Sequence, residues 1–299
     1  MFERRKCEKD DIWLIRDFLS ETYKSFGRKV NWHIDRLNFT YSMSRIMNEV
    51  SEEEYRNRIV LYYENDVLRA VLLTEGEDRG EAFLEVDTYD LHPELVQMMY
   101  DDLDKMRERL NRDIYLRIAH DNKDLLDEAI KRGYVCEEWS EITMRKILDE
   151  ALDDELPDGF KFDTADCKSK AIGHSKAFGY FDRKDVLANA EKGLEALMTM
   201  SDFKVNHDIN VVNEKGEVVA FATMWYDEKN KVGILEPVGT HPDYRRMGLA
   251  KKAIYKGCNE VIKQGAAFVY VGSYQEFYKK IGFSPISEDK VYKKSIKSN

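Results

Sequence analysis

The stretch that decides the fold runs Glu236-Pro-Val-Gly-Thr-His-Pro-Asp-Tyr-Arg-Arg-Met-Gly-Leu-Ala250. The mostly apolar segment Val232–Thr240, which begins just before this stretch, predicts a strand. Apolar positions at helical spacing after it predict a helix that begins near Met247. A helix N-terminus presents backbone N–H groups without partners and a partial positive charge. This strand–loop–helix junction is therefore suited to binding a phosphate group.

The loop also contains a glycine and a concentration of positive charge. Gly248 lacks the Cβ that would keep a pyrophosphate away from the backbone. The chain as a whole is acidic, with 47 Lys plus Arg against 57 Asp plus Glu and a net charge of −10. Local positive charge in such a chain favours an anion site, and the alternative is an ordinary solvated helix start. The four cations are Arg245, Arg246, Lys251 and Lys252.

The sequence contains a two-fold repeat. His92-Pro93-Glu94 matches His241-Pro242-Asp243 at an offset of 149 residues, and Gly133-Tyr134 matches Gly282-Phe283 at the same offset. At roughly 100–200 residues per domain, the length of 299 residues also favours two domains. We predict a tandem duplication with domains 1–150 and 151–299, joined by the acidic, Pro/Gly-bearing linker Asp149–Gly159.

The hydrophobic patterns predict the same element order in each half. In the first half we predict helix Asp10–Tyr23, strands Arg58–Tyr63, Val67–Thr74 and Ala82–Thr88, a helix after His92, strand Ile114–Ile118, helix Lys123–Lys131 and a strand from Tyr134. In the second half we predict strands Ile209–Val212, Glu217–Trp225 and Val232–Thr240, the helix near Met247, strand Ala267–Val271, helix Tyr274–Lys280 and a strand after Phe283.

Composition excludes several classes of function. The acidic balance argues against nucleic-acid binding, which needs a basic surface, and gives no attraction to an anionic membrane. The charged N-terminus Met1–Lys6 leads into no apolar stretch, so we expect no secretory signal. Four dispersed cysteines without nearby histidines predict neither zinc nor disulfides, and hence a cytoplasmic protein without a metal. These are Cys7, Cys136, Cys167 and Cys258.

Two blocks of sequence resemble a known family. Arg245-Arg-Met-Gly-Leu-Ala250 resembles the [Gln/Arg]-x-x-Gly-x-[Gly/Ala] signature of the GCN5-related N-acetyltransferases, or GNAT proteins. Gly272-Ser273 followed by Phe277–Phe283 is similar to the second block of that family, a strand and then a helix that ends in Tyr-x-x-x-Gly-Phe. The resemblance is strong over residues 205–296, moderate over 157–204 and only architectural over 1–150. It implies an α+β chain of two tandem acyl-CoA N-acyltransferase folds, each a mixed, mostly antiparallel sheet flanked by helices.

The resemblance also implies a site for acetyl-CoA as the acetyl donor. The backbone amides of Arg246 through Ala250 would bind its pyrophosphate, and the backbone of Val238 and Thr240 would pair with its pantetheine arm. Tyr278 occupies the position of the general acid that protonates the departing thiolate, although it could simply pack beside Phe277. The full set of implied cofactor-binding residues is Val238, Thr240, Arg245, Arg246, Met247, Gly248, Leu249, Ala250 and Lys251.

Glu236 is the candidate general base. A charged residue in an apolar strand indicates either a functional role or a buried ion pair. By strand alternation we expect it to face the same cleft as Val238 and Thr240. Asp227 and His241 are weaker candidates, since His241 recurs at His92 and so suggests a structural turn.

The N-terminal half departs from the family pattern. At the offset of 149, Val96, Met99 and Asp101 stand where the second half has Arg245, Gly248 and Ala250, and Ala129 stands in place of Tyr278. Apolar and acidic side chains there would exclude a pyrophosphate. We expect this half to keep the fold without the cofactor and either to complete the core or to form a wall of the acceptor site.

Three aromatic stretches could line an acceptor pocket or serve only as core and interdomain packing. They are Phe178–Phe181, Trp225–Asp227 and Asn31–His33. An aromatic cleft in an acidic protein favours a cationic amine.

The sequence therefore predicts direct transfer of an acetyl group from acetyl-CoA to a primary amine, with a small-molecule acceptor preferred to a protein or peptide amine. The alternative is a non-catalytic acyl-CoA-binding sensor or interaction module. We expect either a monomer with pseudo-two-fold halves or a homodimer.

Overall fold

The computed structural model describes residues 1–75 and 79–296, which form one twelve-stranded sheet with ten α-helices. The strands are β1 Phe2–Lys6, β2 Val60–Glu64, β3 Val67–Leu73, β4 Glu81–Val86, β5 Ile114–Ala119, β6 Val135–Ile147, β7 Phe160–Asp163, β8 Asp208–Asn213, β9 Val218–Asp227, β10 Val232–Thr240, β11 Phe268–Val271 and β12 Ser284–Lys294. The α-helices are α1 Asp11–Phe26, α2 Ile34–Phe39, α3 Arg45–Met47, α4 Glu52–Asn57, α5 Pro93–Leu110, α6 Lys123–Lys131, α7 Cys167–Phe178, α8 Lys184–Met198, α9 Leu249–Ile262 and α10 Glu276–Lys280.

The two halves exchange their last strands. The strand order is β1-β2-β3-β4-β5-β12-β6-β11-β10-β9-β8-β7, so β12 lies in the sheet of the N-terminal half and β6 in that of the C-terminal half. The two exchanged strands pair antiparallel at the centre, where Asp289 lies opposite Glu141. Within each half one pair is parallel, β4 with β5 and β10 with β11, and the remaining pairs are antiparallel.

The repeat predicted from the sequence is visible in local structure. His92 accepts a hydrogen bond from the N–H of Glu94 and His241 accepts one from the N–H of Asp243, both through Nδ1 at 3.2 Å. The two histidines thus cap equivalent turns. The predicted α+β class with a mixed sheet and flanking helices is confirmed. The division into 1–150 and 151–299 remains a prediction, to which the structure adds the strand exchange across it.

The N-terminal half contributes to the core of the C-terminal half. Ile34 on α2 and Met43 in the following turn are buried together with Leu194 of α8 and Trp225 of β9. Gly193 permits this contact, because a Cβ there would lie 3.0 Å from Cγ of Met43. Burying each such side chain stabilises the fold by roughly 1.5–3 kcal/mol. The start of α2 is therefore held firmly against the C-terminal sheet.

None of the helices in the described ranges is long and apolar enough to cross a membrane.

Candidate active site

A cleft opens where β10 and β11 separate. These strands pair in parallel only from Val232 to Ile234, and the register between β9 and β10 shifts between Leu235 and Val238. Beyond this bulge the edge of β10 that faces away from β9 is open. The N–H of His241 donates to Val219 of the neighbouring chain segment at 2.8 Å. Because N–H groups alternate along a strand, those of Val238 and Thr240 point toward the open edge.

The bulge corrects one expectation about Glu236. Strict alternation would place its side chain on the face of Val238, but the register shift interrupts the alternation between them. Val238 packs against the core that includes α9, whereas Glu236 lines a cavity. Glu236 keeps the face of Ile234, which also lines the cavity, and the bulge turns Val238 to the other face.

The loop before α9 presents a row of backbone amides. Within residues 1–75 and 79–296, no protein acceptor receives a hydrogen bond from the amides of residues 246–251. Gly248 has φ of 83° and Arg246 has φ of 66°, and these left-handed conformations turn the chain into the helix. A Cβ on Gly248 would meet no protein atom within 4 Å, so this position favours glycine for its backbone conformation. The arrangement fits a pyrophosphate.

The cations around this loop have different roles. Arg245 donates to the carbonyl oxygens of Thr240 and Ala177, at 3.3 and 3.1 Å, and so ties the loop to β10 and α7. Arg246 is exposed and makes no ion pair with a described residue. The ammonium of Lys251 lies 5.2 Å from the ring centre of Tyr255.

The remaining implied cofactor residues support the helix start. The side chain of Leu249 is buried in the core and anchors α9, while Met247 is exposed. Ala250 is partly buried in the first turn. For these three residues the backbone amide is the group available to a ligand.

Tyr278 lies on α10 at the inner side of the cleft. It is buried, and its ring packs edge-on against Phe283, with ring centres 5.6 Å apart. Its hydroxyl makes no hydrogen bond within the described part of the chain. Burial and the nearby negative charge of Glu236 raise the pKa of Tyr278 well above its usual value. The phenol therefore stays protonated and can donate a proton.

Glu236 lines a cavity of about 490 Å³ between the two halves, and Tyr278, which is not a lining residue, is close enough to interact with the charge of Glu236. Glu236 is exposed by its accessible surface and lines this cavity, whose walls come from both halves, so its carboxyl is reachable although protein atoms surround it. Burial and then the charges of Asp35 and Glu75 raise the pKa of Glu236 to about 7, against an opposing effect of Arg36. A carboxyl with such a pKa can accept a proton near neutral pH.

The N-terminal half supplies one wall of this cavity, including α2 and the residues before it. The C-terminal half supplies residues from α7, α8, β9, β10 and β11, and the exchanged strand β6 supplies two more. All three aromatic stretches singled out in the sequence contribute side chains. The lining residues are Lys29, Trp32, His33, Asp35, Arg36, Phe39, Glu75, Glu141, Thr143, His174, Phe178, Tyr180, Leu197, Trp225, Ile234, Leu235, Glu236, Pro237, Tyr270 and Gly272.

Arg36 is held in a partly buried network of charges at the cavity wall. Its guanidinium donates to Glu75 through Nε at 2.9 Å and to Glu141 through Nη1 at 2.7 Å. Glu141 also forms an ion pair with Arg117, whose Nε lies 2.9 Å from Oε2. Burial by itself would raise the pKa of Glu141. The charge of Arg36, together with the other nearby cations, outweighs burial and lowers the pKa of Glu141 to about 2. The network fixes α2 relative to β6.

The two weaker candidates for the base have structural positions. His241 caps the turn described above. Asp227 is buried and accepts hydrogen bonds from Ser20 of α1 and from Asn230 in its own turn, each at 2.8 Å. Asp227 therefore joins α1 to the C-terminal half.

Among the described residues of the N-terminal half, 1–75 and 79–150, there is no equivalent of the amide loop. After the turn capped by His92 the chain continues directly into α5, whereas after His241 it makes a single turn and then the loop before α9. Val96 and Met99, which align with loop positions, are buried in the core on α5. Ala129, in the place of Tyr278, is buried too.

Comparisons with known proteins agree with this architecture. The whole chain is similar to the crystal structure of a GCN5-related N-acetyltransferase from Sphaerobacter thermophilus, with a TM-score of 0.61 and 15% identity, over 100% of this chain and 96% of that one. It is also similar to a tandem GNAT protein from the clavulanic acid biosynthesis pathway, with a TM-score of 0.66 and 10% identity, over 100% and 99% of the two chains. No curated protein sequence matches the chain.

The fold is thus that of tandem GNAT proteins. Residues 177–283, in the C-terminal half, match the acetyltransferase (GNAT) family. The resemblance carried by the two sequence blocks is confirmed.

Sequence reasoning missed the polar residues on the cavity wall, above all Asp35, Arg36 and Glu75. The stretch Asn31–His33 had drawn attention only through its aromatic rings. No local pattern connects Asp35 to Glu236, which lies some 200 residues further along the chain.

Proposed function

We propose that this protein is an N-acetyltransferase that moves the acetyl group of acetyl-CoA to a primary amine by direct attack. The observation that carries the proposal is the proximity of two groups with complementary proton affinities. Glu236 can accept a proton near pH 7, and Tyr278, close enough for its pKa to respond to the charge of Glu236, keeps its own proton. Glu236 lies on β10 beyond its last pair with β11, and Tyr278 lies on α10, the helix that follows β11.

The donor would bind along the open edge of β10 and the loop before α9. The amides of residues 246–251 suit the pyrophosphate, and the free N–H groups of Val238 and Thr240 suit the amides of the pantetheine arm. Acetyl-CoA supplies an acetyl group activated as a thioester. The C-terminal domain would hold one donor, and the N-terminal half, which lacks the amide loop, would hold none.

The chain's own residues would move two protons. Glu236 takes a proton from the incoming ammonium, which gives the free amine needed for attack. The N–H of Val238 stabilises negative charge that develops on the carbonyl oxygen. As the carbon–nitrogen bond forms and the carbon–sulfur bond breaks, Tyr278 protonates the departing sulfur. The nitrogen then gives up its second proton, which restores the Tyr278 phenol, and Glu236 releases its proton to solvent. No cysteine nucleophile is required, and Cys258 is buried in α9 with its pKa raised by burial to about 12.

The acceptor would be a small cationic amine. The cavity walls are aromatic and bear more carboxylates than cations, an environment that attracts an ammonium group. Because the N-terminal half encloses one side, a compact molecule suits the site better than a protein segment. We place the reaction in the cytoplasm.

A thiol-release assay tests the proposal. Purified full-length protein is mixed with acetyl-CoA and a panel of polyamines, amino acids, aminoglycosides and peptide N-termini. We expect free CoA to be released with at least one small amine, and Glu236→Gln and Tyr278→Phe to slow release while acetyl-CoA still binds. Wild-type protein that binds acetyl-CoA and releases no thiol with any amine would instead support the sensor.

A further inference from the structure

Four residues that line the cavity each have a buried polar side-chain atom without a hydrogen-bond partner within the described residues. Three belong to the segment before and at the start of α2: Nε1 of Trp32, Nε2 of His33 and Oδ1 of Asp35. The fourth is Oγ1 of Thr143 on the exchanged strand β6. Buried polar groups are nearly always hydrogen-bonded in folded proteins. Four such atoms around one cavity therefore point to a polar ligand at this wall.

The charges of the cavity identify what that ligand carries. Four carboxylates line it, those of Asp35, Glu75, Glu141 and Glu236, against two cations. Arg36 is occupied by Glu75 and Glu141, and Lys29 lies 3.7 Å from Asp289. Asp35 and Glu236 form no ion pair with any described residue, so two carboxyls remain for a ligand.

Asp35 is the more deeply buried of these two carboxyls. Only 9% of the residue is exposed, and burial raises its pKa to about 6. Its position is fixed, since the neighbouring Ile34 lies in the core shared by both halves. Asp35 is near enough to Glu236 for its charge to raise the pKa of the second carboxyl. A ligand with one positive charge for each carboxyl would offset the cost of burying the two negative charges and would remove their mutual repulsion.

We infer that the acceptor carries a second amino group and that Asp35 binds it while Glu236 faces the nitrogen to be acetylated. This inference rests on the proposed function and adds the substrate class to it. The N-terminal half thereby determines specificity for a reaction whose donor is held by the other half. Linear diamines and diamino sugars share this chemistry, and the experiment below distinguishes them.

The neighbours of Asp35 suit a cation. Burial lowers the pKa of His33 to about 3, so this ring is neutral and does not repel an ammonium group. The ring of His33 is stacked on Tyr270, with ring centres 5.1 Å apart. The indole N–H of Trp32 and the hydroxyl of Thr143 remain to form hydrogen bonds with hydroxyl groups of the ligand. A diamino sugar has such hydroxyl groups and a linear diamine lacks them.

The test compares dications with monocations of the same size on the full chain. We would measure kcat/KM at pH 8 for 1,4-diaminobutane against 1-aminopentane, and for 2,6-diamino-2,6-dideoxyglucose against glucosamine. In wild-type protein we expect the diamine of at least one pair to be preferred roughly 10- to 100-fold, as for a charge-assisted hydrogen bond. The pair with the larger preference identifies the source of the second amino group.

Variants then locate the cause of the preference. Asp35→Asn should bring the diamine-to-monoamine ratio close to one, and the control Asp90→Asn, at an exposed aspartate, should keep the wild-type ratio. Turnover of amines without a preference for diamines, or an unchanged ratio in Asp35→Asn, overturns this inference and leaves the proposed function standing. Release of no thiol with any amine overturns both. The wild-type comparison needs no variant to fold.

Discussion

The pKa of Glu236 leads to a quantitative prediction about pH. Burial and the charges of Asp35 and Glu75 raise this pKa from 4.5 to about 7, while Arg36 acts against them. A carboxyl group is a base only when ionised, so activity is present above pH 7 and is lost as the pH falls through 7. With a pKa of 7 the ionised fraction is about 9% at pH 6 and about 91% at pH 8, whereas with a pKa of 4.5 it would be almost complete at both.

We therefore expect kcat to rise about tenfold between pH 6 and pH 8. The assay is thiol release at saturating acetyl-CoA and amine, in buffers of constant ionic strength. No second limb from Tyr278 should appear in this range, because its pKa is raised. Asp35→Asn removes a like charge from the neighbourhood of Glu236 and should move the limb to lower pH.

Glu236→Gln separates the enzyme's ionisation from that of the amine. The variant keeps the size of the side chain and removes the base, so kcat at pH 8 should fall by about 100-fold. Any pH dependence that remains belongs to the amine. A wild-type kcat that is flat between pH 6 and 8, or a Glu236→Gln profile with the same limb as the wild type, would refute this assignment of the base.

Three further predictions concern the donor site, the acid and the N-terminal half. Gly248→Ala and Gly133→Ala both introduce a Cβ at positive φ (83° and 81°) in open space, so each should lose about 1 kcal/mol of stability in denaturant unfolding. Only Gly248→Ala should also weaken acetyl-CoA binding, by about tenfold, and equal binding losses would contradict the amide loop. Tyr278→Phe should lower kcat by about 100-fold with unchanged KM for acetyl-CoA. The control Tyr100→Phe, in the N-terminal core, should affect stability alone. A normal kcat in the Tyr278→Phe variant would exclude Tyr278 as the general acid. Titration calorimetry should find one acetyl-CoA per chain, and two would show that the N-terminal half still binds the donor.

Local patterns were sufficient for most elements. The predicted helix Lys123–Lys131 and strand Val232–Thr240 have the observed bounds, and the other predicted elements begin or end within a few residues of theirs. Their apolar residues recur with the period of the element, which is a property of neighbouring residues. The short strands Phe2–Lys6 and Phe160–Asp163 were missed, since their charged residues obscure the pattern. Five helices were not predicted either: α2, α3, α4, α7 and α8.

Features that depend on distant residues could not be predicted. The strand exchange was invisible because β6 and β12 have no pattern that states which strand lies beside them. Asp35 and Glu236 come to line one cavity only through the packing of α2 on the C-terminal sheet. The amide loop could be predicted because its glycine, its arginines and the following helix are contiguous, and Tyr278 could be assigned only through the family resemblance.

The strand exchange constrains how this chain can be synthesised and folded. The sheet of the N-terminal half needs β12, which the ribosome makes about 170 residues after β5. Until then β5 presents an unpaired edge, of the kind that recruits strands from other chains. Contacts so far apart in sequence also form slowly. We therefore expect the nascent chain to depend on chaperones that cover strand edges. We also expect the N-terminal half to persist without a donor site, because the sheet of the C-terminal half cannot be completed without β6.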